Sequence, residues 1–405
     1  MKRLIFLSLT PLLLSAGNLV NLLELAEQNH QIEASKHYLE AAKAKESSVT
    51  SSYLPSITIG GNYIENSEHN VFSYTRNTTG YAKASLVLYD GGKREALMDQ
   101  QEAQVKSASY ALAATHENVF LNIINQYYSY LNMLSLEEST LQKIEQLEAE
   151  QYRLKQYFSV GSATADEVQR IISSVEQAKV DLIDIKNNLA MILNALEYLV
   201  GTRVEVEAGS SIAFHIPKEP QTRQDILALE ENVNSARADV DVAKSPYLPT
   251  IAIEDTYSHY DYNKEYTMGL DKQNTVMLSL QWKIFDFGAT SSTKEAAHRN
   301  FLAKSSELAY EKSRAKASLN NAQNSYKSAL LKIDAAKSRL RAADMTYDLV
   351  RKKFQMGIVN NVSYLDALSE KYSAKAGLQS ALNDLEYQKA VVLYEMGKEI
   401  KGAIQ

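Results

Sequence analysis

Cysteine is absent from this 405-residue chain. That excludes disulfides, thiolate metal sites and lipidation at an N-terminal cysteine. Basic residues do not dominate either: 43 Lys and Arg against 49 Asp and Glu give a formal charge of −6. The basic face that nucleic-acid binding asks for is missing, and no nucleic-acid partner is expected. Long apolar runs are lacking too. Beyond the N-terminus nothing approaches the ~18 residues of a membrane-spanning helix. Any crossing of a bilayer must then use a closed β-barrel, the other structure that satisfies its own backbone in lipid. Chemistry is scarce as well. The seven histidines, at 30, 37, 69, 116, 215, 259 and 298, are scattered. None stands with a carboxylate at metal-ligand spacing on one turn. His30 and His37 lie two turns apart on an expected helix and read as a solvent-facing pair. Gly91-Gly92-Lys93 lacks the frame of a phosphate loop. No nucleophile–base pair is present, so the expectation is no enzyme, no cofactor and no metal.

The breakers are few. Six prolines occur, at 11, 55, 217, 220, 246 and 249. None falls within 93–160, 166–200, 289–356 or 364–400, and glycine is also missing from 93–160 and 289–356. Their joint absence predicts two very long helices. Each would run about 100 Å at 1.5 Å per residue. The second carries a 3-4 spacing through Leu319, Ala322, Tyr326, Ala329, Ile333, Ala336, Leu340, Ala343, Tyr347, Val350 and Phe354. That is a coiled-coil seam, and its many alanines let neighbouring helices approach closely. Helices expected at about 19–52 and 166–200 are each half as long, so two placed end to end would match a long one.

What is present starts with an export signal over 1–17. Lys2 and Arg3 precede an apolar stretch from Leu4 to Leu14, and small Ser15, Ala16 and Gly17 follow. The rest of the chain repeats itself. Tyr53-Leu54-Pro55 returns as Tyr247-Leu248-Pro249, and Tyr89-Asp90-Gly91-Gly92 as Phe285-Asp286-Phe287-Gly288. Phe158-Ser159-Val160-Gly161 returns as Phe354-Gln355-Met356-Gly357, and Leu199-Val200-Gly201 as Glu395-Met396-Gly397. These pairs keep one order at a spacing of 194–196 residues, the mark of a duplication. The expected organisation is a first structural repeat at 18–208, a linker at 209–222 broken by Pro217 and Pro220, and a second repeat at 223–405. Each repeat reads as helix, two strands, long helix, helix.

The strands alternate. One face carries Ile57 and Ile59 on the first, Leu86 and Leu88 on the second, and Ile251 and Ile253 on the third. On the fourth it carries Val276, Leu278, Leu280, Trp282 and Ile284. Polar residues such as Thr58, Lys83, Ser85, Glu254 and Gln281 fall opposite. Apolar outside and polar inside is the pattern of a transmembrane barrel. A soluble sheet with one buried face alternates in the same way. Four strands cannot close a barrel, so several chains must share one: two would give eight strands and three would give twelve. The 25 tyrosines suit surfaces that are apolar on one side and wet on the other. The fold class is therefore mainly α with a small β part. A long coiled-coil helical barrel is joined to a β-barrel of about four strands per chain, closed only in the oligomer. A structural coiled-coil stalk or adhesin with a soluble cap is the alternative reading.

The signal, the duplication, Tyr-Leu-Pro before a strand, Phe285-Asp286-Phe287-Gly288 after one, and the Val160-Gly161 and Met356-Gly357 turns resemble the TolC family of outer-membrane efflux proteins. The resemblance covers nearly the whole mature chain. It implies a homotrimer with a twelve-stranded barrel in outer-membrane lipid and a helical barrel extending into the periplasm. It further implies that the duct serves a tripartite efflux or type I secretion system, docking on a periplasmic adaptor (membrane fusion) protein and an inner-membrane pump. The turns Val160-Gly161-Ser162 and Met356-Gly357-Ile358 would then meet the adaptor and surround the tunnel entrance. Of the family's entrance acids, Asp366 falls where one is expected, and Ser363 stands where a second would be. Glu167 occupies an often acidic position, with Asp166 beside it. Val359 stands where some members carry a basic gating residue. Three copies of one carboxylate around a narrow axis repel each other and attract cations. Asp166 and Glu167 also suit a helix N-terminus, where acids contribute about 0.3–1 kcal/mol.

Overall fold

The computed structural model describes residues 15–68, 75–214, 220–262 and 270–405. The apolar stretch Leu4 to Leu14 of the expected signal lies outside the described residues, as do His69, His215 and Pro217. A short strand β1 (Ser15–Gly17) leads into α1 (Leu19–Leu25) and α2 (His30–Ser52). Strands β2 (Ser56–Glu65) and β3 (Arg76–Tyr89) follow, then α3 (Lys93–Ser159), α4 (Ala165–Val200) and the short β4 (Val204–Val206). The same order returns as α5 (Gln224–Lys244), β5 (Thr250–Tyr262), β6 (Lys272–Gln281), α6 (Ala289–Gln355) and α7 (Asn361–Glu395).

Both long helices form without interruption and contain 67 residues each. Each starts on a repeated aspartate. Asp90 Oδ1 accepts the Arg94 N–H at 3.2 Å. Asp286 accepts from Gly288 N at 3.1 Å and Thr290 N at 2.9 Å. An acceptor at this place satisfies donors that the first turn leaves open. Hydrogen bonds from the Thr290 hydroxyl and N–H hold the Asp286 carboxyl below its usual range. The helix expected over 19–52 is broken: α1 ends in a 3-10 turn at Ala26–Gln28, and α2 starts afresh at His30. Asn29 makes the break, donating from Nδ2 to Leu199 O at 2.6 Å and accepting the Gln31 N–H at 2.7 Å. The last helix ends at Glu395, and Gly397 then turns the chain with φ +68°.

The chain divides into two compact units that interleave in sequence. One comprises residues 1–34, 113–223 and 313–405. Its core is built where four helices meet. Ile144, Leu147 and Leu154 of α3 pack with Val168, Ile171 and Val175 of α4, Tyr347 of α6, and Tyr364 and Leu368 of α7. Every α6 seam position within this unit is buried or half-buried, with Ala322, Ala329, Ile333, Ala343 and Tyr347 deepest. Three chain segments are stitched together in the same unit. Strand β1 pairs in parallel with β4. Ser211 and Gln405 exchange backbone hydrogen bonds at 3.1 and 2.9 Å. Tyr127 and Tyr128 donate their hydroxyls to the carbonyls of Glu207 and Ser210. The other unit comprises 35–112 and 224–312 and holds the four-stranded sheet. Small residues bring its helices together: Ala96, Ala103, Ala228, Ala236 and Ala243 are buried, and the buried Ser107 donates to Ala228 O at 3.0 Å.

Candidate functional site

The sheet is antiparallel in the order β2-β3-β5-β6. Its register places Ile57 opposite Ala84, Ala84 opposite Asp255, and Asp255 opposite Val276. Side chains alternate between faces, so this row fixes every other one. Ile57, Ile59, Ala82, Ala84, Leu86, Ile251, Ile253, Val276, Leu278 and Leu280 fall on a single face. That face is the open one: Ile57, Ile59 and Leu278 are 78%, 84% and 69% exposed, and Ile251, Ile253 and Leu86 are half-buried. On β3 and β5 the opposite face is the more sheltered one and mostly polar, while on the edge strands Thr58 and Met277 of that face are exposed. Lys83 and Glu254 pair across it at 2.6 Å, and Ser56 and Ser85 share a 2.8 Å hydrogen bond. This inverts a water-soluble sheet, which hides its apolar face. A bulge between Val87 and Tyr89 leaves Leu88 outside the ladder, still exposed. Strands β2 and β6 are edges, each paired on one side only.

Trp282 and Ile284, expected on the fourth strand, lie beyond it. Strand β6 ends at Gln281, opposite Thr250, the first residue of β5. Pro249 precedes it and has no N–H with which to extend the ladder. Both side chains remain exposed, and Trp282 Nε1 donates to Tyr247 O at 3.1 Å.

The turns at Gly161 and Gly357 are built alike. Both glycines take left-handed backbone, with φ +77° and +71°. Ser162 N reaches Tyr157 O at 2.8 Å, and Ile358 N reaches Lys353 O at 2.9 Å. These bonds close the ends of α3 and α6 in the Schellman manner. Val160, Met356 and Ile358 are exposed at the tips. After each turn a cap starts the next helix. Thr164 and Glu167 form a reciprocal capping box, with Thr164 N donating to Glu167 Oε2 at 2.9 Å. Asp166 pairs with Arg170 at 2.9 Å. Ser363 N and Oγ both donate to Asn360 Oδ1 at 3.0 Å. Asp366 is exposed, and no ion pair or hydrogen bond engages its carboxylate among the described residues. Of the four candidate entrance residues, three are tied up in local helix-starting contacts and Asp366 is not.

Two features of this region escape sequence reasoning. Asn361 is buried and donates from Nδ2 to Glu167 O at 3.4 Å, joining the starts of α4 and α7. Arg153 lies over the Phe354 ring at 4.9 Å and the Tyr157 ring at 5.5 Å. It also forks onto both oxygens of the buried Glu150, at 2.7 to 3.2 Å. Phe354 in turn stacks on Tyr364 at 4.9 Å. The signal for the first was a polar residue one step after a helix cap; for the second, an Arg three residues after a Glu near a helix end. Elsewhere, no group of His, Asp and Glu among the described residues could hold a metal ion. No described helix is long and apolar enough to cross a membrane.

The sequence profile of outer membrane efflux proteins matches residues 22–202 and 216–394. The outer membrane protein TolC of Salmonella enteritidis is 23% identical over 93% of this chain and 82% of its own length. The probable efflux pump outer membrane protein TtgC of Pseudomonas putida is 24% identical over 79% of this chain and 68% of its own. Among solved structures, a membrane protein from Pseudomonas aeruginosa superposes with a TM-score of 0.85 at 18% identity, covering 94% of this chain and 93% of the other. The CmeC outer membrane channel of Campylobacter jejuni gives 0.83 at 17% identity, over 94% and 85%. These likenesses establish the fold.

Proposed function

Since the chain belongs to the outer membrane efflux protein family, we propose that it is the outer-membrane duct of a tripartite export assembly, working as a homotrimer. It is a non-enzymatic efflux channel of the outer membrane. The observation that carries the finer reading is the inverted sheet with two unpaired edges. In lipid an unpaired edge leaves backbone donors and acceptors unsatisfied at several kcal/mol each. Three chains placed edge to edge, β6 of one beside β2 of the next, give twelve strands in continuous antiparallel order. Ile57, Ile59, Leu86, Leu88, Ile251, Ile253, Val276, Leu278 and Leu280 then meet lipid, with Trp282 and Ile284 at its periplasmic border. The Lys83–Glu254 face lines the passage.

The turns Val160-Gly161-Ser162 and Met356-Gly357-Ile358 form the periplasmic mouth and receive the adaptor, through which an inner-membrane pump delivers cargo. At that mouth Asp366 supplies the charge. Asp166, Glu167 and Ser363 serve the helix starts. Three Asp366 carboxylates around one axis favour cations. Replacing Asp366 by Ala is expected to reduce cation preference and block by divalent ions in planar bilayers. Asp166→Ala is expected to leave both unchanged. Equal behaviour of the two variants would remove Asp366 from the constriction. The reading as a whole is tested by the native mass of the protein extracted by detergent from the outer-membrane fraction. A trimer is expected; a soluble periplasmic monomer would end the shared-barrel reading.

A further inference from the structure

The duplication puts two equivalent junctions in the sheet-bearing unit, and only one is filled. In the first, the segment after β3 meets the loop before β5. Gly91 takes φ +75°, and a Cβ there would run into the Ser245 carbonyl and come within 3.1 Å of Leu248 Cβ. Ser245 is buried here. The second junction pairs the twins of these residues. Gly91 corresponds to Phe287, Ser245 to Ser51, and Leu248 to Leu54. Ser51 is exposed, Leu54 is 64% exposed, and Phe287 is 93% exposed. The partners of the second junction therefore exist in the chain but do not meet within one copy.

Phe287 adds its own argument. It holds φ +55°, the one left-handed non-glycine among the described residues. A β-carbon is strained in that region, and an aromatic there is uncommon. Its twin is a glycine, so the fold accepts the residue that relieves the strain. Among the described residues no side chain of its own copy covers the ring apart from Phe285, whose centroid is 4.6 Å away. The strain thus secures nothing inside one copy. The sheet tells the same story, because β3 is paired with β5 while the equivalent edges of β6 and β2 are open.

We infer that Phe287 of one chain packs against the loop at residues 51–55 of the next copy, so that the aromatic pair Phe285–Phe287 seals the seam between chains just outside the barrel. The occupant is a second copy rather than lipid, because the covered twin junction is protein against protein. The inference rests on the shared-barrel reading and adds to it a specific contact. It also gives the two kinds of junction different shapes. Within a chain the space admits only glycine. Between chains it must admit a phenyl ring.

The chain has no cysteine, so a crosslinking test has no background. Phe287→Cys and Leu54→Cys are introduced in separate copies, co-expressed, and treated with a short bismaleimide in outer-membrane vesicles. Crosslinked dimers that neither single variant yields alone are the expected result. With both substitutions in one chain, a three-chain species is expected. Phe287→Gly provides a second readout. If the ring only stores strain, glycine raises the temperature at which the trimer dissociates; if the ring seals the seam, glycine lowers it. A native-mass trimer that shows no crosslinking, while the thiol of the Phe287→Cys variant reacts with a lipid-soluble maleimide, would overturn the inference and leave the shared barrel standing. Absence of any trimer would sink both.

Discussion

Arg153 ties α3 to α6 near the turns at Gly161 and Gly357. Its guanidinium lies on Phe354 and holds both oxygens of the buried Glu150 with three hydrogen bonds. Burial pushes the Glu150 carboxyl up despite the arginine, which pulls it down. Arg153→Ala would strand that carboxylate and remove a cation–π contact, at an expected cost of about 2 kcal/mol. Arg153→Lys keeps the charge but loses the fork and should fall between the two. Denaturant midpoints decide this, and wild-type stability in Arg153→Ala would show the cluster to be slack. Glu117 offers a pH effect of known sign. Its carboxylate accepts the Ile400 N–H at 3.1 Å, and burial, with Glu399 nearby, raises its pKa to about 7. The unfolded value is about 4.3. The folded state therefore holds the extra proton between these values, and its stability falls as pH rises from the lower to the higher, then levels off. Glu117→Gln should flatten that part of the profile in thermal unfolding at pH 5 and pH 8. An unaltered slope would assign the effect to other groups.

At the scale of elements, the turns and the α6 seam are most open to test. A Cβ at Gly161 or Gly357 would meet nothing within 4 Å, so alanine there costs only the left-handed backbone, about 1 kcal/mol each. A larger loss in either turn would reveal a packing role. Along the seam Ala329 is buried, whereas Ala336 borders a polar groove of about 480 Å³ with Asn125, Tyr128 and Asn383. Leucine at 329 should cost about 1–3 kcal/mol by overpacking, while leucine at 336 has the groove to enter and should cost less. Equal losses in thermal unfolding would mean that the groove is filled in the assembly.

The same elements show what could be read from the chain beforehand. Missing proline and glycine marked α3 and α6 to within a residue, because a breaker in a long helix costs the same wherever it sits. The alternation that sorted Ile57 from Thr58 is equally local. The break at Asn29 was hidden, since its cause is a hydrogen bond to Leu199, far along the chain. Strands β1 and β4 are too short to show a period. Trp282 and Ile284 continue the alternation in sequence, but their pairing partner has already ended. Asn361 and Arg153 take their meaning from contacts with residues about 200 positions away, which spacing along the chain cannot display.

For the whole molecule, the open edges of β2 and β6 carry a genetic consequence. If three chains build the barrel jointly, it has no spare wall, and one faulty stave breaches the vessel. A chain whose β6 edge is spoiled, for example by Leu278→Pro, would still offer a sound β2 to its neighbour and so could join a mixed trimer. If it is made in equal amount with the normal chain and mixes freely, roughly one trimer in eight would contain normal chains alone. The altered allele should therefore be dominant, lowering efflux far below the half expected from simple dilution. Comparing export through the duct in cells carrying both copies with export in cells carrying either alone measures this directly. Recessive behaviour would mean that spoiled chains are rejected before the ring closes.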